Sequence, residues 1–349
     1  MRKKIMISLV LVFLLVFSSN FAKVIQAQSA SGEKVELGLS STLSPGSCLE
    51  LACDRFKSLA EKKSNGRIKI VRYPSGELYG PKAEIEAVAK GNIAMGMLHN
   101  AYVGARSPAL EFISSFGGQG CWEDYDHYWR FLDLPEVREI ASSEAKTKLN
   151  AKLLAIAAYG NSLAGNRKRP VHTVEDFKGL KMRTAGGAQA TMYKELGVVP
   201  TELSAKEVYM ALQRGTIDGA NSGPGRFYFS KWYEVTPYLT QDYTLPYLSF
   251  WLSINLDIWN KLSDNDRGIL AETAREIEDW ARIYVVKETS AIYEKFQRGL
   301  VKELYFFPQS ETEKIARIVR PVMHDLIVKR VGKEMGEKLW SLLEAAKKK

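Results

Sequence analysis

Two seven-residue stretches, 124 positions apart, share one pattern. Ala87-Val88-Ala89-Lys90-Gly91-Asn92-Ile93 and Ala211-Leu212-Gln213-Arg214-Gly215-Thr216-Ile217 both read A-[VL]-x-[KR]-G-x-I. Each is the end of a helix, a glycine that terminates it, and the start of a strand. A chain that builds this unit twice is expected to form two lobes of similar build, each feeding a strand towards a shared cleft. The first unit runs on into His99, Asn100 and Tyr102, the second into Asn221 and Ser222.

The rest of the chain alternates in the same way. Residues 35–39, 67–73, 93–98, 153–159, 179–183 and 249–255 read as strands by their apolar runs and alternation. Ser47-Cys48-Leu49-Glu50 has the form of a capping box, and its helix stops at Asn65-Gly66. Pro81 suits a first helical position. Residues 122–149, 188–196 and 205–214 read as helix, and 161–170 as a polar loop rich in Arg and Lys. Ser263 with Asp266 marks a helix start, and nothing breaks the pattern before Gly299. A helix of roughly 35 residues would be about 50 Å long, longer than one small domain is wide, so it is expected to cross both lobes. The tail, 310–349, reads as helical. Strands alternating with helices imply an α/β fold with mixed, mainly parallel sheets, whose ligands sit at the carboxyl ends of strands.

The amino-terminus reads as an address. Arg2-Lys3-Lys4 precedes an apolar run, 5–17, and then Ile25-Gln26-Ala27. That is the layout of a secretory signal peptide over 1–27, cleaved near Ala27; an uncleaved anchor is the alternative, but about 13 apolar residues span a bilayer poorly. The formal charge is +9, and Arg2, Lys3, Lys4 and Lys23 lie in this leader, so the remainder carries +5 with both signs interspersed. No nucleic-acid partner is expected. Cys48, Cys53 and Cys121 fit no metal or redox spacing and read as buried small hydrophobes with at most one bridge. There is no G-x-S-x-G, Walker A loop, G-x-G-x-x-G or H-E-x-x-H, and no two of the four histidines stand at metal-ligand spacing. An exported two-lobed chain of this kind is expected to bind a ligand without cofactor or metal and to catalyse nothing.

Four stretches carry a resemblance. They are 65–70 continuing through Tyr73-Pro74-Ser75-Gly76-Glu77-Leu78; Glu86-Ala87-Val88-Ala89-Lys90-Gly91-Asn92-Ile93; Glu175-Asp176-Phe177-Lys178-Gly179-Leu180-Lys181-Met182-Arg183; and 207–220, ending Ile217-Asp218-Gly219-Ala220. In order and spacing the chain resembles the extracytoplasmic solute-binding subunits of TRAP transporters, over nearly all of 35–300. The resemblance implies a periplasmic-binding-protein-like fold, with lobe 1 formed by 28–158 plus 248–285 and lobe 2 by 159–247 plus 286–349. It also implies a periplasmic monomer that closes on a small organic acid and serves a membrane permease driven by an ion gradient.

Arg183 is the principal site candidate, because a guanidinium fork matches both oxygens of a carboxylate and the matching Arg of the family clamps the substrate. It precedes Ala185 and Gly186, small enough to let a ligand approach the backbone. Asn221 and Ser222 stand where the family has an acid and an amide. Ser40 matches a polar contact, and His99 and Tyr102 replace a charged pair of the sialic-acid-binding branch; Leu163 replaces a further Arg of that branch. Asn100, Tyr159 and Trp251 complete the candidates, with Phe250 beside the last. One clamp in an otherwise neutral, partly aromatic pocket suits a monocarboxylate with an apolar or aromatic body. The competing readings are a receptor subunit that presents ligand to a membrane sensor, and an exported hydrolase or lyase using His99 or Asp218.

Overall fold

The computed structural model describes residues 33–114, 120–241 and 249–347; the leader read at 1–27 lies outside them, as does the side chain of Asn100. Strand β1 (Val35–Ser41) is followed by α1 (Cys48–Lys63), β2 (Ile68–Tyr73), α2 (Pro81–Ala89) and β3 (Met95–His99). A 3-10 turn, Asn100–Ala105, and α3 (Pro108–Ile113) precede α4 (Tyr125–Asp133), α5 (Pro135–Leu149) and β4 (Ala151–Ala158). The chain then crosses to β5 (Leu163–Asn166), β6 (Lys181–Thr184), α6 (Gly187–Glu195), β7 (Val199–Glu202), α7 (Ala205–Arg214), β8 (Gly219–Ser222), α8 (Pro224–Phe229) and β9 (Tyr238–Gln241). It returns through β10 (Ser249–Asn255) and α9 (Leu256–Lys261). Helix α10 (Asp264–Lys295) leads to β11 (Glu303–Phe306) and the tail helices α11 (Gln309–Val331) and α12 (Lys333–Ala345).

These strands make two sheets, β2-β1-β3-β10-β4 and β11-β9-β5-β8-β6-β7. In the first, β1 runs parallel to β2 and β3, and the returning β10 runs antiparallel to β3 and β4. In the second, β6 is parallel to β7 and β8, β9 is parallel to β11, and β5 is antiparallel to β8 and β9. The repeated unit falls once in each sheet. Gly91 follows α2 with φ +72° and Gly215 follows α7 with φ +73°, a left-handed conformation that glycine adopts without penalty.

Helix α10 ties the sheets together. Its buried residues Leu270, Ala274, Ile277, Ala281, Val285 and Ile292 recur at helical spacing. The stripe begins in the larger apolar core, which includes the first sheet, and ends at Ile292 in the smaller core with Val208, Leu212, Phe227 and Trp232. At 1.5 Å per residue, its 32 residues span about 48 Å. Glu288 lies on the same stripe where it passes between cores, and burial pushes its carboxyl up to about 7.

Several local expectations need correction. Ser47 does not cap α1: its hydroxyl donates to the Ser44 carbonyl, and the Cys48 N–H donates instead to Glu288 at 2.7 Å. Glu50 turns away to accept from the Ser41 hydroxyl and pair with Arg72. The polar loop at 161–170 contains β5, a central strand of the second sheet. Its sequence, Leu-Ala-Gly-Asn, lacks strand character because Gly165 must admit the Phe227 ring, which a Cβ would approach to 2.3 Å. The helix at 122–149 is two, divided by Pro135, which cannot donate to a preceding turn. Strands β7, β9 and β11 escaped the reading, each only four residues long. All three cysteines are buried, and none forms a disulfide among the described residues.

One buried charge makes stability pH-dependent. Glu84, on α2, is wholly buried; neither carboxyl oxygen has a hydrogen-bond partner, and the Ser40 hydroxyl lies beside it outside bonding geometry. Burial pushes its pKa up to about 8 from 4.5, aided by the Glu50 charge. Between these values the folded chain holds a proton that the unfolded chain releases, so stability falls as pH rises through the interval. Glu84→Gln should therefore match the parent Tm at pH 4.5 and exceed it by several degrees at pH 9. Parallel Tm–pH curves would contradict this.

Candidate functional site

Strand β6 delivers Arg183 to the gap between the sheets. The strand ends at Thr184 and turns through Ala185-Gly186 into α6. Arg183 is 2% exposed. Its Nε donates to the Leu203 carbonyl at 2.9 Å, Nη1 to the Asn221 carbonyl at 3.2 Å, and Nη2 to the Tyr102 hydroxyl at 3.3 Å. The guanidinium also stands 5.9 Å from the Trp232 ring centre. Burial draws its pKa down, with the neighbouring Arg226 charge acting in the same direction. Among the described residues no carboxylate forms an ion pair with it. A buried cation held only by neutral acceptors is costly, and it creates a strong local demand for an anion.

Aromatic groups flank it from the first sheet. His99 closes β3, and its ring lies 4.9 Å from Tyr102 and 4.4 Å from Phe250. Its Nδ1 accepts the Ala101 N–H at 3.3 Å. Burial first, then Arg183 and Arg226, hold its pKa well below the ordinary value, so the ring is a neutral wall. Tyr159, just past β4, packs on Phe250 at 5.4 Å. Burial pushes its phenol up to about 12; the hydroxyl lies beside Arg226 but outside hydrogen-bonding geometry.

Asn221 joins the same group from β8. It is 1% exposed and accepts Gln189 Nε2 at 2.7 Å on its side-chain oxygen, while its Nδ2 has no partner. Ala185 contributes its N–H to Gln189. Gly186 meets the opposite lobe: a Cβ there would lie 2.7 Å from the Ala101 carbonyl oxygen. Ser222 also lies at the end of β8, its carbonyl accepting from Ser162 at 3.4 Å. Two candidates stand apart from this group. Ser40 faces Glu84 beneath α2. Trp251 alternates to the opposite face of β10 from Phe250, and its indole donates to Ser249 at 3.2 Å.

Arg226 is the residue the sequence reading missed. It opens α8, is 9% exposed and pairs with no carboxylate among the described residues. Its Nη1 donates to Ser44 Oγ at 2.7 Å and its Nη2 to the Thr42 carbonyl at 3.3 Å, both on the chain leaving β1. The available signal was a lone cation in Gly-Pro-Gly-Arg-Phe-Tyr-Phe directly after the second strand end. The basic run 167–169 is spent elsewhere: Lys168 pairs with Asp218 at 2.8 Å, and Arg169 donates to the Asp176 and Lys178 carbonyls. Asp218 also accepts the Lys181 N–H at 2.9 Å and is held below its usual pKa by these partners despite its burial. It ties the start of β6 to the chain entering β8.

At the rim, Lys82 and Glu202 pair across the gap at 2.8 Å. A cavity of about 140 Å³ lies there among Tyr102, Gly104, Glu111, Gly186 and Arg330. The described residues contain no group of three metal-ligating side chains and no helix long and apolar enough to cross a membrane.

Residues 39–330 match the family model for bacterial extracellular solute-binding protein, family 7. The chain is 27% identical over 313 residues to the C4-dicarboxylate-binding periplasmic protein DctP of Rhodobacter capsulatus, covering 87% of this chain and 90% of that one. It is 30% identical over 220 residues to a monocarboxylate 2-oxoacid-binding periplasmic protein of Nostoc, covering 59% and 56%. Its fold superposes with TM-score 0.83 on the sugar acid binding protein DctPAm of Advenella mimigardefordensis in complex with galactonate, at 20% identity, covering 90% and 99%. The chain therefore belongs to the DctP family, the solute-binding proteins of TRAP transporters, a family of binding proteins and not of enzymes.

Proposed function

We propose that the protein binds a small organic acid in the periplasm between its two lobes and delivers it to a TRAP permease. One observation carries this reading: Arg183 is 2% exposed and has no carboxylate partner among the described residues. A ligand carboxylate on this guanidinium supplies the missing anion. It also touches groups from both sheets, so its affinity for the closed form exceeds that for the open one and drives closure. The lobes are taken as 28–158 plus 248–285 and 159–247 plus 286–349, with 1–27 as the export leader and the mature chain a monomer.

The ligand is read as a monocarboxylate with an apolar or aromatic body. His99, Tyr102, Tyr159 and Phe250 support this, since they present ring surface beside the single clamp. A second reading, a dicarboxylate, is favoured by Arg226, a second buried guanidinium without an acid partner among the described residues. The two differ in whether Arg226 serves the ligand or, through Ser44 and Thr42, only the closed lobes.

Loss of a charged hydrogen-bonded partner in a closed site costs about 2–5 kcal/mol, so Arg183→Ala should weaken acid binding at least about 30-fold by titration calorimetry. An unchanged affinity removes Arg183 from the site. A thermal-shift panel of pyruvate, 4-methyl-2-oxopentanoate, phenylpyruvate, succinate and galactonate separates the ligand classes; stabilisation by succinate alone refutes the monocarboxylate. Gly186→Ala places a methyl against the Ala101 carbonyl and should loosen closure, raising Kd for the panel's best binder about tenfold with little change in Tm. An affinity equal to the parent's would show that the lobes close without that approach.

A further inference from the structure

A run of amides beside Arg183 has a direction that the backbone dictates. The Ala185 N–H is a donor and nothing else, and it meets the Gln189 side chain at 2.6 Å. Gln189 must therefore present its oxygen there, which leaves its NH2 to face Asn221. The contact to Asn221 is 2.7 Å, so Asn221 must in turn present its oxygen to Gln189. Neither carboxamide can flip without setting two donors or two acceptors face to face. The Asn221 NH2 is thereby turned away from Gln189, and it is buried with no partner.

Gln189 is 1% exposed on α6, and burying a glutamine costs side-chain entropy. A helix packing on a sheet gains more from an apolar residue in that place. An unpaired buried NH2 on Asn221 adds a further cost. Both are accounted for if an acceptor from outside the chain completes the row. Asn221 is also the residue whose carbonyl accepts from Arg183 Nη1, which sets this strand end beside the guanidinium.

We propose that Gln189 is a positioning residue that fixes Asn221 as a hydrogen-bond donor to an oxyanion of the bound acid. The inference rests on the organic-acid reading above. Gln189 itself touches no ligand; it decides which end of the Asn221 amide the ligand meets. Position 221 then favours a carboxylate or carbonyl oxygen and rejects an ammonium or amide N–H, because two donors would be opposed.

The test is a double-mutant cycle with Gln189→Met, which keeps length and volume while removing both bonds. In the parent background, Gln189→Met should raise Kd for phenylpyruvate and for succinate about tenfold. In an Asn221→Ala background the same change should leave Kd unaltered. An equal loss in both backgrounds, or none in either, overturns the proposal, whatever happens to Tm. A second measurement needs no ligand. In the 1H–15N spectrum of the free chain, the side-chain NH2 pair that disappears in Asn221→Ala should shift and exchange faster with water in Gln189→Met; an unmoved pair overturns the proposal. If neither acid binds the parent chain, the organic-acid reading fails for these ligands, and the amide spectrum still decides whether Gln189 orients Asn221.

Discussion

A guanidinium buried without a counter-ion among the described residues organises this molecule. Arg183 is buried, and its hydrogen bonds go to two carbonyls and a hydroxyl. Proteins rarely tolerate that arrangement for stability alone, since an apolar residue in the same place costs less. The surroundings amplify the demand. His99 is kept uncharged, Asn221 faces its oxygen elsewhere, and Arg226 adds a second positive charge nearby. Among the described residues, the gap between the sheets thus holds two guanidinium groups without a paired carboxylate.

The fold brings these groups together from distant parts of the chain. Tyr102 and His99 leave one sheet at the end of β3, and Arg183 and Asn221 leave the other at the ends of β6 and β8. Each sheet has its parallel core widened by strands running the other way, β10 in the first and β5 in the second. Contacts across the gap are small and polar: Arg183 to Tyr102, Arg226 to Ser44, Lys82 to Glu202.

Much of this was legible before any coordinates. The repeated helix–glycine–strand unit appears once in each sheet, and the unbroken pattern after Ser263 is one helix across both cores. What escaped notice did so for physical reasons. Strand β5 is held by backbone ladders on both sides, and its glycine makes room for a neighbouring ring, so its side chains carry no alternation. Strands β7 and β11 have no fully buried face to impose one. The capping motif at Ser47 was real as sequence, yet a carboxylate 240 residues away reached the helix end instead, and local pattern cannot report a long-range competitor. Arg226 and Gln189 look like ordinary helix residues; only the pairing of their polar atoms distinguishes them.

Helix α10 has a mechanical consequence. Its hydrogen-bond ladder runs unbroken from Asp264 to Lys295 and is anchored by side chains in one core and then in the other. Separating the lobes therefore means flexing a continuous rod, and a flexed rod pushes back. Any movement of one lobe against the other would then work against a spring instead of swinging on a loose joint.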